Sequence, residues 1–312
     1  MKEFSLVYYF AIFFLLLLFL FAETILVKRT RVKFPSQFYM RKDFLNEVIP
    51  ALRKIVNTNS RNVYIDFSNV ENASQGAYMV FLAQVEKAMK LKKNIRLYPI
   101  LPKAKSVQNI IFAKKKYAHK NIEILSSKIP NTESFRTVDP DFIDEIVLEL
   151  RKIGFSEYYE PFYDYLVELI GNATEHGICN RKINWWMLRY RDYQKKCMVY
   201  VFVDMGLGII KSYKKSGLPL RYLLRTKNNI PLDALYGKLG SSTKKNNRGR
   251  GLPQIREIIE KGLISDFILI TNSVSLRYID NEFIVSENPN FIGTYFSWTI
   301  NKDNYITWKN TQ

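Results

Sequence analysis

Cysteine is close to absent. The 312 residues contain two, Cys179 and Cys197, with no CxxC or paired Cys/His spacing. That excludes a disulfide-stapled scaffold and a zinc-finger module, and it fits a reducing compartment. Low-complexity tracts and internal repeats are also missing. Acidic residues are scarce, at 29 against 47 Lys and Arg, for a formal net charge of +18. Such an excess suits nucleic acid, an anionic membrane surface or a phosphate-rich ligand, and charge alone does not choose among them.

Apolar residues make up 47% of the chain and charged residues 24%, which marks a globular protein rather than a disordered tail. The length allows about two domains of ordinary size. One feature lies outside that frame, an apolar and aromatic run from Phe4 to Ala22 interrupted only by Ser5. A run of about 20 residues can cross a hydrocarbon core. Lys28, Arg29, Arg31 and Lys33 follow it, so the positive-inside rule predicts an N-terminal membrane anchor over residues 1–27 with the bulk of the chain cytoplasmic. The alternative is a cleaved signal peptide, weakened by the length of the run, the basic flank on the wrong side and the lack of a small-x-small cleavage site.

The residues from 34 to 126 alternate strand, helix, strand, helix: Asn62–Phe67, Gln75–Leu91, Ile95–Ile100 and Ala104–Tyr117. That order predicts a small α/β domain. A Pro-, Ser-, Thr- and Asn-rich linker spans 127–139. From Pro140 the pattern gives helices over Phe142–Ile153 and Pro161–His176, the second closed by Gly177. Strands follow at Asn184–Tyr190, Met198–Val203, Phe267–Thr271 and Thr294–Ile300. The predicted class is α+β, with helices on one face of a mixed sheet over 140–302 and a short tail over 303–312.

Four constellations carry chemistry. On the helix before Gly177, Glu168, Asn172 and His176 recur every four residues and share one face. An amide oxygen there can ligate Mg²⁺, and a carboxylate one turn earlier can polarise a water. An apolar strand ends at Asp204, followed by Gly206 and Gly208; the carboxylate can accept from an exocyclic amine and the glycines admit a flat ligand. Gly249 and Gly251 precede a helix, as in phosphate cradles. Between Gly206 and Gly251, eleven Lys or Arg, among them Lys244, Arg248 and Arg250, face one acid, Asp233; a basic lid over a triphosphate has this composition. Gly293-Thr294 opens the last strand. Singly, each has a plain alternative: a solvated helix face, a strand-to-loop turn, a basic surface loop.

In this order the four resemble the signature boxes of the GHKL ATPases (gyrase, histidine kinase, MutL): Glu-x-x-x-Asn, Asp-x-Gly-x-Gly, Gly-x-Gly-Leu and a late Gly-Thr. The resemblance implies ATP and Mg²⁺ as ligands. It assigns Mg²⁺ to Asn172, the adenine amino group to Asp204, the adenine pocket floor to Gly206 and Gly208, and adenine-side hydrogen bonds to Thr294. Lys244, Arg248, Gly249, Arg250, Gly251 and Leu252 would lie along the phosphates. The segment ELIGNATEHG, 168–177, is most similar to that of the anti-sigma-factor serine kinases, which makes Glu168 the candidate general base.

The region VYIDFSNVENASQGAYMVFLAQVEKA is similar, less specifically, to STAS domains. Aligned from Asp66, that family's phosphoacceptor position falls near Ser74-Gln75-Gly76-Ala77, and only a one-residue shift places Ser74 there, so a scaffold or dimerisation surface is the preferred expectation. An autophosphorylating histidine kinase needs an acceptor histidine on a dimerising helix, and neither His119 nor His176 fits. Six lysines and no acid lie between Pro102 and Lys120, read as a helix face near an anionic membrane. No aromatic-interleaved basic motif argues for nucleic acid. The function expected is a membrane-tethered, ATP-dependent switch acting on a protein partner, with slow hydrolysis. The alternatives are a protein serine/threonine kinase and a non-catalytic or nucleic-acid-linked ATP-binding scaffold. A homodimer is compatible with the family.

Overall fold

The computed structural model describes Phe13 and residues 29–92, 94–111, 117–119, 122–128, 138–176, 185–217, 229–239 and 251–312. The N-terminal module runs β1 (Arg29–Lys33), β2 (Gln37–Phe38), α1 (Lys42–Asn57), β3 (Asn62–Asp66), β4 (Asn72–Ala73), α2 (Gln75–Leu91), β5 (Arg96–Ile100) and α3 (Lys105–Ile111). Its main sheet is parallel, in the order β1-β3-β5, and β2 pairs with β4 beside it. Helix α1 buries Leu45, Val48, Ile49, Leu52, Ile55 and Val56, the three-and-four spacing of one apolar stripe. Helix α2 starts at Ser74, whose Oγ accepts from the Ala77 N–H at 3.1 Å; serine at an N-cap satisfies one of the first-turn donors.

The second module continues with β6 (Tyr117–His119), β7 (Ile122–Lys128), α4 (Pro140–Leu148), a 3₁₀ turn (Glu149–Ile153), α5 (Glu160–His176), β8 (Trp185–Asp192) and β9 (Cys197–Asp204). It ends with α6 (Ile209–Lys215), α7 (Ile230–Leu235), α8 (Gly251–Glu260), β10 (Ser265–Ile279), β11 (Glu282–Ile300) and α9 (Lys302–Lys309). The six-stranded sheet has the order β10-β11-β9-β8-β7-β6, and every pair in it is antiparallel. The sheet expected to be mixed is therefore antiparallel among the described residues, and the parallel strands belong to the smaller sheet. The boundary expected at residue 126 falls inside β7.

The helices of residues 140–302 cover one face of the sheet, and the N-terminal module covers the other. Along β9, Met198, Tyr200 and Phe202 join a core with α4, α5 and α8, while Val201 and Val203 join a core with α1 and α2. Successive strand residues point to opposite faces, and in β9 both sets are apolar, so both faces need cover. The helix layer stacks aromatic rings on the sheet. Phe162 lies 4.7 Å from Tyr200, Tyr165 4.8 Å from Trp298, and Tyr200 is stacked on Trp298 at 5.4 Å. On the opposite face, Trp186 Nε1 donates to Glu86 Oε2 at 2.8 Å and Lys87 Nζ donates to the Met205 carbonyl at 2.7 Å. These bonds fix α2 to the sheet.

The membrane-spanning helix, and with it the anchored localisation, is also corrected. Among the described residues no helix is long and apolar enough to cross a membrane. The longest, α2 and α5, have 17 residues each and carry Glu86 and Lys87, and Glu168 and Asn172, respectively, where a span needs about 20 predominantly apolar residues. The run from Phe4 to Ala22 lies, apart from Phe13, outside the described residues. Cys197 is buried and free, its thiol pushed up to about 11 chiefly by burial; Cys179 and Gly177 fall outside the described residues.

The modules approach closely at Gly76, where a Cβ would stand 2.9 Å from Tyr295 Oη and 3.2 Å from Val201 Cγ2. Gly76→Val should lower stability by about 1–3 kcal/mol, the usual cost of overpacking, while leaving the secondary structure intact. Urea unfolding with circular dichroism checks this, and an unchanged midpoint would show that α2 is not seated on β9 and β11 as described.

Candidate functional site

Two clusters of the expected residues form, one on the helix layer and one at the end of the sheet. In the first, the buried face of α5 is set by Phe162, Tyr165, Leu166, Leu169, Ile170 and Ala173. Glu168 and Asn172 are half-buried beside that stripe. Helix α8 packs against α5 and brings Gly251 onto these two side chains. A Cβ on Gly251 would collide with Glu168 Oε2 and meet Asn172 Nδ2 at 3.0 Å. Any larger residue here would have to displace the Glu168 carboxylate. The Asn172 Nδ2 atom is buried and has no hydrogen-bond partner. Buried polar side chains are normally paired, so an orphaned amide beside a carboxylate and a helix N-terminus is the mark of a place prepared for a polar ligand.

In the second cluster, Asp204 ends β9 opposite Thr294 of β11 and Trp185 of β8. It is buried, and burial pushes its carboxyl up to about 6, while hydrogen bonds from the Gly206 N–H and from Thr294 favour the ionised form. The Gly206 N–H donates to Asp204 Oδ1 at 2.8 Å, which fixes the carboxylate against the loop that follows β9. Gly293 has φ +95, and any Cβ there would collide with the Asp204 carbonyl oxygen. Both constraints admit glycine only.

The loop after Asp204 rests on a pair of residues that the sequence did not announce. At Gly208, φ is +79 and a Cβ would fall on the Asn272 amide, 2.6 Å from Oδ1. Asn272 Oδ1 accepts from Ile210 N at 3.0 Å, and its Nδ2 donates to the Leu207 carbonyl at 2.9 Å. Thr271 Oγ1 accepts from Ile209 N at 2.9 Å. Thr271 and Asn272 stand at a register shift of β10, and Asn272 has a positive φ of 50. A bulge re-aims side chains in this way. Leu207 is left 41% exposed. Lys87, from the other module, completes the loop's anchorage through the Met205 carbonyl and lies close enough to lower the Asp204 carboxyl electrostatically.

Of the expected site residues, Glu168, Asn172 and Gly251 are brought together, as are Asp204, Gly206 and Thr294. Gly208 is fixed to Asn272 rather than left open. Leu252 packs on the hydrophobic core below α8. Lys244, Arg248, Gly249 and Arg250 lie outside the described residues. Among the described residues no group of three or more His, Cys, Asp or Glu could hold a metal. An ion held by one amide oxygen together with ligand oxygens and water needs no such group. Comparison with family models, curated proteins and solved structures finds no match to this chain. The functional reading therefore rests on geometry.

Asn272→Ala should leave the Ile210 N–H and the Leu207 carbonyl unpaired and place alanine at a positive φ, costing about 1–3 kcal/mol. Amide hydrogen exchange across 205–211 should rise by at least tenfold relative to β9, and unchanged protection would show that Asn272 does not hold this loop.

Proposed function

We propose that the chain binds Mg²⁺·ATP in a GHKL-type site and works as a nucleotide-dependent switch with slow turnover. One observation carries the reading. The Gly251 backbone at the head of α8 abuts Glu168 and the orphaned Asn172 amide, while Asp204, Gly206 and Thr294 form a buried acceptor at the end of β9. A helix N-terminus favours phosphate through its free N–H groups and dipole. Asn172 would supply an amide oxygen to Mg²⁺, whose charge offsets that of the triphosphate. Glu168, one turn away, would orient the attacking water as general base. Asp204 would accept from the adenine amino group, and Thr294 would buttress it. The 206–211 loop, held by Thr271 and Asn272, would lie under the base.

Turnover by the full chain with Mg²⁺·ATP should be lost in Glu168→Gln while nucleotide binding persists. Asn172→Ala should weaken Mg²⁺-dependent binding, and Asp204→Ala should weaken binding of ATP and ADP alike. Each lost hydrogen bond to a charged partner is worth about 1.5–3 kcal/mol, roughly ten- to a hundredfold in Kd. Binding with no release of phosphate to water, but transfer of it to a second protein, would turn the reading to a protein kinase. Absence of saturable nucleotide binding to the wild-type chain would sink the proposal.

The Asp204 carboxyl gives a pH signature. Its folded value, about 6, lies above the ordinary 3.8, so the folded apo protein holds this proton more tightly than the unfolded chain does, and ionisation costs stability as pH rises from about 4 to 6. Nucleotide binding runs the other way, since the adenine amine needs an ionised acceptor. Between pH 7 and pH 5 the affinity should fall about tenfold, the loss expected of one group titrating near 6. Titration calorimetry on wild type and Asp204→Asn, whose affinity should be low and flat with pH, checks this.

A further inference from the structure

A cavity of about 560 Å³ lies between the two modules, walled by the start of α1, the β4–α2 junction and the outer face of β8, β9, β10 and β11. Its volume is that of a small-molecule site. Helix α2 opens onto it through Ser74, Gln75 and Gly76. Gln75 is only 5% exposed, and its Nε2 has no hydrogen-bond partner. An amide donor buried without an acceptor costs about 1–3 kcal/mol, a cost relieved when a ligand supplies one. The Ser74 side chain already serves the Ala77 N–H. The N–H groups of Gln75 and Gly76, at the head of a 17-residue helix, have no intrahelical acceptor by the geometry of a helix start.

Three further donors converge there. The Tyr295 hydroxyl lies against Gly76. Arg41 stands close enough to Tyr295 and Tyr190 to act electrostatically on both hydroxyls. Burial pushes Tyr295 up to about 12 and Tyr190 higher, so both keep their protons. Arg41 makes a cation–π contact with Tyr39, its guanidinium 5.8 Å from the ring centroid, and no carboxylate pairs with it among the described residues. Acids also line the cavity, but two of the three are engaged: Asp192 accepts from the N–H groups of Gln194 and Lys195, and Asp266 accepts from Thr299 Oγ1. The third, Asp43, is exposed at the first turn of α1.

We propose that this cavity is a binding site for a small organic anion, a carboxylate or a phosphate monoester with an aromatic or aliphatic body, its charged group held by Gln75 Nε2, Arg41 and the first turn of α2. The tyrosine rings and the apolar strand residues Val199 and Val201 receive the body. The site is separate from the Asp204 and Glu168 clusters, and the proposal does not rest on the nucleotide reading.

Titration calorimetry of the full chain with phenyl phosphate, benzoate and inorganic phosphate tests it. Saturable binding of phenyl phosphate or benzoate is expected, tighter than that of inorganic phosphate, and weakened about tenfold in both Gln75→Leu and Arg41→Gln, the worth of one charge-assisted hydrogen bond. Asp204→Ala should bind the probe as wild type does. The stronger of the two organic probes identifies the charged group. Gln75→Leu removes the orphaned donor, so its unfolding midpoint should be no lower than that of wild type, and loss of binding in it cannot be ascribed to misfolding. The proposal is overturned if none of the three probes saturates by millimolar concentration, or if binding survives in Gln75→Leu and disappears in Asp204→Ala, which would place it in the other site.

Discussion

Strand β9 has no solvent face. All eight of its residues are buried, and Met198, Tyr200 and Phe202 join one core while Val201 and Val203 join another, the two cores being built from distant parts of the chain. Each fully buried large apolar side chain contributes about 1.5–3 kcal/mol, so leaving either face bare would forfeit several such terms at once. The antiparallel sheet thus cannot be covered by α4, α5 and α8 alone. It draws α1 and α2 of the N-terminal module onto its other side, and the two modules become one folded body sharing a central sheet. Everything placed at the end of β9, Asp204 above all, inherits its position from that double burial.

Backbone constraints then shape the end of the strand. Gly293 lets β11 pass the Asp204 carbonyl at a distance no side chain would allow, and Gly208 turns the chain back over Asn272. These approaches hold the carboxylate where solvent is scarce, and burial raises its proton affinity. A buried carboxyl near 6 is costly unless something gains from it. The two hydrogen bonds from Gly206 and Thr294 leave acceptor capacity that a donor on a flat heterocycle could use. On the helix layer the logic is the same with other groups, for Gly251 closes on Glu168 and Asn172 and leaves an amide without a partner.

Much of this was legible in the residues. The full extent of helix α2 shows in its apolar periodicity, and β9 in its β-branched and aromatic run, whereas of β11 (Glu282–Ile300) only the part from Thr294 onward carries such a signal. The Glu168/Asn172 pair and the glycines carried their own signal, because few residues besides glycine tolerate such approaches. The lower half of the site carried none. Asn272 sits inside a strand of 15 residues, and asparagine is depleted in strands, yet nothing in a single sequence says that its amide will hold a loop 60 residues earlier. Lys87 was hidden for a similar reason: it belongs to a helix of the other module, and only the packing of α2 on the sheet brings it to Met205. The cover on the sheet's other face carried no signal, because a strand such as CMVYVFVD reads as deeply buried without showing which part of the chain lies on each side.

That packing also gives α2 a position of consequence. Its first turn opens on the inter-module cavity through Gln75 and Gly76, and three turns later Lys87 grips the carbonyl beside Asp204. A helix is stiff along its axis, and this one is fixed laterally by the Glu86–Trp186 bond and by the close seat of Gly76 on Tyr295 and Val201. Coupling between two sites requires an element that both can bias, and three elements touch both: α2, β9 through Val201 and Asp204, and β11 through Tyr295 and Thr294.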